Sequence, residues 1–452
     1  MLSGFLRALW GDLSIQEVKK IILLSCIITL ILGSYWILKV LKNPIFNDLV
    51  GMKFQPYAKI ISIFIVALVI LIYSKLVDLF DKKTLFNIIC GFYSALFFFT
   101  CFATKNSECF SIDDSSKFYH LVVWIPGKII GWISYFAFES SSLLMILFWA
   151  FVVSITKPDF AKKGYAIIVT CAQIGTILGT AIVTYGVKII GSYLLIGLCG
   201  FLVLLVPFLI RLYMLIITKK ELAYISVDDN KSKTSFFEGL KLIVTRPYVI
   251  GILIISTIYE IIGTVLEFQM NMIATEVLIS RDLFVAFSGK YGMSINSVVL
   301  LFSLLGTNFF MRRFGLKFCL IFYPASVGTV LLGLLGVNFI EITKTQVMWV
   351  LFVTAVVVRG LGYALNNPTK EVMYIPTTKD IRFKAKGWIE SFGSRCSKGS
   401  GSIITAAYTK NLSDLLIFGT LISLGIVGVW IIVANLLGNK FNKLQKENAI
   451  IE

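Results

Sequence analysis

Apolar runs long enough to cross a bilayer recur along this chain from one end to the other, and nothing constrains its fold more. A helix needs about 20 mostly apolar residues to span the hydrocarbon. Twelve segments meet or approach that length, near Ile21–Val40, Ala58–Ser74, Thr84–Ala103, Lys128–Val153, Tyr165–Val187, Tyr193–Ile217, Val249–Met272, Ser294–Met311, Phe318–Phe339, Val347–Leu365, Gly387–Tyr408 and Leu415–Leu436. The eleventh, GWIESFGSRCSKGSGSIITAAY, is the least apolar. The expected fold class is an all-α polytopic membrane protein of twelve transmembrane helices, arranged as two six-helix halves like the major facilitators. Composition agrees. Hydrophobic residues make up 57% and charged residues 15% of the chain, against about 25% charged in an ordinary soluble domain.

The halves are expected at 1–217 and 247–452, with a polar linker at 218–246 that contains TKKELAYISVDDNKSK. Short basic turns, YSKLVDLFDKK after the second segment and FFMRRFGLKF after the eighth, stand at matching places in the two halves. Placing both termini in the cytoplasm puts most Lys and Arg in inner loops, as the positive-inside bias requires. The net charge of +17 is therefore read as loop orientation plus attraction of anionic solutes. With no basic soluble domain to carry it, no nucleic-acid partner is expected. Eight scattered Cys without a CxxC pair, and one histidine, His120, offer no framework for disulfides, zinc or histidine-based catalysis. The chain is expected not to be an enzyme, with no catalytic residue, no metal and no cofactor.

Charges inside the apolar runs carry the functional signal. VIGILIISTIYEIIGTVLEFQMNM holds Glu260 and Glu267, seven residues apart and so on one helical face. An ionised group at mid-bilayer costs roughly 2.5–3.5 kcal/mol on insertion scales and is kept where it faces a protein-lined cavity. Lys39 and Lys42 share a face at the end of the first segment, where Pro44 is expected to stop the helix. For this pair, snorkelling to the headgroups is an open alternative. The fourth segment holds Lys128 and, deeper, Glu139 followed by three serines, which suit close helix approach. The tenth holds Arg359, with Lys370 just past its end. The eleventh holds Glu390, Arg395 and Lys398 beside several glycines. Bases outnumber acids in this set, and a pocket of that sign suits a phosphate-bearing metabolite, which Arg grips bidentately and Lys meets as a point charge. Internal pairing of these charges is the competing reading. SKGSGS lacks the spacing of a phosphate-binding loop.

Three stretches carry a resemblance: TKEVMYIPTTKDIRFKAKGWIESFGSRCSKGSGS from Thr369, LFWAFVVSITKPDFAKKGY from Leu147, and YEIIGTVLE. The chain resembles the nucleotide transporters of plastids and obligate intracellular bacteria and parasites, the ATP/ADP translocases. The resemblance implies exchange of ATP for ADP in the cell membrane of an intracellular parasite or endosymbiont, with ATP, ADP and the lipid bilayer as partners. It implies roles in transport for Lys42, Glu139, Glu267 and Lys370. Arg359, Arg395 and Lys398 join them as candidate substrate-binding residues, and Tyr259 or Trp132 as candidates to stack on the base. Asn43, Arg359 and the stretch Ser397–Gly401 depart from the family pattern. Proton-coupled uptake of other nucleotides or NAD, with protons or phosphate as further partners, and a non-transporting scaffold or sensor stay open. The oligomeric state is not set by the sequence.

Overall fold

The computed structural model describes residues 14–110, 125–156, 158–216, 236–305, 307–337, 340–378, 381–447 and 449–451. His120 and most of the predicted linker, 218–235, lie outside them. Among the described residues the secondary structure is helical, apart from one isolated β-bridge between Thr377 and Ile451. Eleven helices among the described residues are long and apolar enough to cross a membrane. Helices suit this setting because every backbone group finds its partner within the segment. The predicted eleventh span is helical too, through Lys386–Trp388, a π-helical turn at Ile389–Gly393 and Ser394–Ala407, but it is too polar to join that set. Spans are numbered here in the predicted order of twelve.

The first span runs Ile15–Leu49 and starts at a capping box in which Ser14 and Glu17 satisfy each other's backbone N–H groups. Pro44 lies inside this helix, contrary to the expectation that it stops there. The ring removes one ladder bond, but helices inside membranes tolerate this where neighbours enclose the site, and Pro44 is buried. The fourth span is two helices, Ile129–Ser140 and Leu143–Ile155. Its serines stand at the break. Ser140, Ser141 and Ser142 each turn a hydroxyl back to the carbonyl three residues earlier, at 3.1, 2.6 and 3.2 Å. Such back-bonding competes with the helical ladder. Tyr93 also donates to the Ser140 carbonyl at 2.8 Å. The predicted linker is not wholly irregular, since Phe236–Thr245 is helical.

The basic turns fall at helix breaks. Asp81 caps the third span, Lys82–Lys105, by accepting from the backbone of Lys83 and Thr84. Hydrogen bonds from Thr84 hold its carboxyl below the usual range. In the second half, Gly315 turns the chain with φ +81°, a conformation that suits glycine.

By packing, the chain divides into two units. One comprises Met1–Gly51, Phe64–Asn230 and Ser280–Met293; the other comprises Met52–Ile63, Lys231–Ile279 and Ser294–Glu452. In the first unit, the fifth span (within Pro158–Ile190) lies against the first. A Cβ on Gly179 would come within 2.5 Å of the Gly33 carbonyl oxygen, and one on Gly175 within 2.9 Å of the Thr29 carbonyl oxygen. Small residues at this spacing let membrane helices touch backbone to backbone. The same fifth span meets the start of the eighth, Arg281–Leu305: Thr180 faces Gly292, and Thr184 faces Gly289. In the second unit the seventh span, Pro247–Val277, is central. Gly401 of the eleventh span seats on its Ile261 carbonyl, and Gln269 donates to Leu415 of the twelfth at 2.7 Å.

Candidate functional site: ion pairs within each unit

In the first unit, Lys42 Nζ lies 2.5 Å from Glu139 Oε2 and 4.8 Å from the centre of the Tyr135 ring. The break after Ser140 leaves Glu139 in the last turn of its helix. Lys39, one turn earlier on the face of Lys42, sits 3.9 Å over the Trp36 ring, a cation–π contact.

In the second unit, the tenth span (from Lys344) carries Arg359 near the end of its α-helical part. A π-helical turn follows at Gly362–Asn366, then Asn367–Met373 with Pro at its start. Pro368 cannot donate to the ladder, so the turn before it widens. The Asn366 amide donates across to the Ile255 carbonyl of the seventh span at 3.1 Å. Arg359 reaches the same span between two carboxylates. Nη1 donates to Glu260 Oε2, and Nη2 lies 3.4 Å from Glu267 Oε2. Gly263 sits between those acids in sequence, and a Cβ there would be 2.6 Å from the guanidinium carbon. The guanidinium thus rests in a notch made of Glu260, Gly263 and Glu267. The other Glu260 oxygen faces Ser394 Oγ at 3.4 Å and Lys398 Nζ at 3.9 Å on the eleventh span. Lys370 pairs with Glu390 at 3.5 Å. Arg395 is half-buried on the eleventh span.

The structure therefore brings Glu267, Arg359 and Lys398 together, and separately Lys42 with Glu139. Lys42, Arg359, Lys370 and Lys398 all face carboxylates, so the expected excess of bare cations is replaced by ion pairs. Glu260, named from the sequence but left out of the candidate set, is the hub of the second group. The two aromatic candidates are occupied within the protein. Trp132 donates to the Pro126 carbonyl at 2.9 Å and meets Phe46 edge-on; Tyr259 is buried against Tyr323 and Gly362. Two features escaped sequence reading. Lys59 is buried, although it stands at the edge of an apolar run, where it reads as a headgroup lysine. Arg281 donates to Tyr193, stacks 4.2 Å from its ring centre and pairs with Asp48 at 2.9 Å. Each partner ends or begins a span, so each reads alone as an ordinary loop charge.

Comparisons with known proteins agree on the architecture. ADP,ATP carrier protein 1 of Rickettsia prowazekii is 25% identical, over 90% of this chain and 89% of the relative. ADP,ATP carrier protein 3 of Rickettsia bellii is 22% identical, over 95% and 96%. Among solved structures, the nucleoside transporter NupG superposes with a TM-score of 0.60 at 14% identity, covering 93% of this chain and 99% of that one. A peptide transporter POT in complex with sulfate superposes with 0.58 at 15%, covering 93% and 95%. The fold is thus an all-α, multi-pass membrane architecture of major-facilitator type. The profile of the TLC ATP/ADP transporters matches residues 2–441, and with that span the chain belongs to the TLC ATP/ADP transporter family.

Proposed function

We propose that this protein exchanges ATP for ADP across a membrane by alternating access, and that Lys42, Glu139, Glu267, Arg359, Lys370, Arg395 and Lys398 serve the nucleotide. The observation that carries the reading is that every charge which the family resemblance ties to transport sits in an ion pair inside a span region. Lys42 pairs with Glu139, Glu267 with Arg359 and Lys370 with Glu390. Charges kept in apolar helices are functional by default, because their desolvation is otherwise uncompensated. Arg359 offers a planar fork and the lysines point charges, which together suit a polyphosphate. No bond is made or broken in this reading, and no enzyme activity is assigned.

Both termini lie in the cytoplasm in this reading, with the halves at 1–217 and 247–452 joined through 218–246. The protein works in the cell membrane of an intracellular parasite or endosymbiont, a setting supported by the Rickettsia relatives. The test is uptake of labelled ATP into cells that express the chain, with unlabelled ADP, GTP, NAD and phosphate as competitors. ADP should compete best, and preloaded ADP should accelerate uptake with or without an uncoupler. Uptake that collapses with the uncoupler and ignores internal ADP would move the chain to proton symport. Reporter fusions at both ends check the orientation.

A further inference from the structure

The ion pairs formed by the candidate site residues share an asymmetry, with one exception. Side-chain exposure is 9% for Lys42 and 31% for Glu139, 8% for Arg359 and 22% for Glu267, and 19% for Lys370 and 44% for Glu390. In each, the cation is enclosed and the carboxylate is the accessible partner. Glu260 inverts this. It is 4% exposed, more enclosed than Arg359 or the 34% exposed Lys398. Its oxygens are divided between two spans, one on Arg359 and the other towards Ser394 and Lys398.

We infer that Arg359 has a fixed partner and an exchangeable one: Glu260 is a positioning residue that holds the guanidinium in the Gly263 notch, and nucleotide phosphate takes the place of Glu267 on it. This rests on the transporter reading and assigns its two seventh-span acids different tasks. Three geometric facts set the division. At 3.4 Å the Glu267 contact is longer than an ordinary charge-assisted hydrogen bond. Glu267 is the more exposed acid. Glu260 is also tethered to the eleventh span, so leaving Arg359 would disturb a second helix. A phosphate group carries more charge than a carboxylate and presents oxygens at the spacing of the guanidinium fork. It can therefore displace the looser acid while the enclosed one keeps the cation in place. Removing one member of an enclosed pair leaves an uncompensated charge, so Glu260 is held in the complex as well as in the empty protein.

The test uses the full-length protein, purified in detergent for equilibrium binding of labelled ADP and reconstituted into liposomes for exchange. Glu267→Gln removes the competitor of phosphate. ADP should bind at least threefold tighter while exchange falls at least tenfold, because bound nucleotide is no longer expelled by a returning carboxylate. Glu260→Gln loosens the guanidinium, and Kd should rise about tenfold, with Glu260→Asp recovering part of the loss. Gly263→Ala fills the notch and should act like Glu260→Gln with both acids intact. If Glu260→Gln does not fold, Glu260→Asp and Gly263→Ala carry the same comparison. Weaker binding in Glu267→Gln, or unchanged Kd in both Glu260→Gln and Gly263→Ala, overturns the assignment. A wild-type protein that neither binds nor exchanges ADP or ATP overturns the transporter reading itself, a result separable from either.

Discussion

A cation inside an apolar helix must be neutralised whether or not cargo is present, which gives every candidate lysine here a second task. Lys42 does not wait bare for phosphate, since Glu139 is 2.5 Å away. Lys42→Ala therefore removes a phosphate ligand and strands a carboxylate at once, whereas Lys370→Ala strands the more exposed Glu390. Both variants should raise the KM for ATP about tenfold or more, about 1.4 kcal/mol of lost binding each, with the larger fall in Vmax for Lys42→Ala. Liposome kinetics check this, and wild-type constants in both variants would reject the site. Arg395→Cys and Lys398→Cys, in a Cys-free background, should react with a water-soluble thiol reagent and be protected by ATP. Labelling indifferent to ATP removes them from the site. The charges themselves were legible in the sequence because they interrupt apolar runs. Their pairing was not. Arg359 meets acids 92 and 99 positions away, and no spacing rule for a single helix reaches that far. Hence internal pairing, the competing reading of these charges, is what the fold shows for Lys42, Arg359 and Lys370.

Helices in this protein are shaped by small and hydroxylic residues. The fifth span carries Gly175 and Gly179 against the first, and Thr180 and Thr184 towards the eighth. Gly179→Leu should force the first and fifth spans apart and cost roughly 1–3 kcal/mol, as overpacking does. A lower melting temperature in detergent than for Gly186→Leu checks it, because the nearest neighbours of a Cβ at Gly186 stand off at 3.6 Å or more. Arg281→Ala should release the first turn of the eighth span from Asp48 and Tyr193, seen as faster amide exchange over 280–293. Hydropathy located the apolar middle of these spans but not their ends: the eighth, expected from Ser294, starts at Arg281, and the twelfth, expected to end at Leu436, runs to Glu447. It missed the break after Ser140, because LLMILFW is as apolar as any continuous helix, and it mistook Pro44 for a stop. Both outcomes were decided by local hydrogen bonding and enclosure, which hydropathy does not weigh.

At the scale of the whole molecule, sequence order and packing do not coincide. Residues 280–293 pack with the unit built mainly from the first half, and residues 52–63 with the other. Fragments 1–230 and 231–452, each expressed alone, should be cleaved readily by added protease, and co-expression should restore resistance. Resistant single fragments would show that the exchanged stretches are dispensable. Two groups of six spans could be read from hydropathy and loop charge; this exchange could not, because it depends on which helix ends meet in space. The polarity of the eleventh span has a biosynthetic consequence. Glu390, Arg395 and Lys398 fall within one helix length, and each costs several kcal/mol at the centre of a segment entering lipid alone. Such a helix leaves the insertion machinery efficiently only with a companion that satisfies it. For Lys398 that companion, through Glu260, is the seventh span, made more than a hundred residues earlier, and for Glu390 it is Lys370 of the tenth. The ribosome has thus nearly finished the chain before its central polar group can close, and substitution of Glu260 should reduce the yield of inserted protein before any measurement of transport is possible.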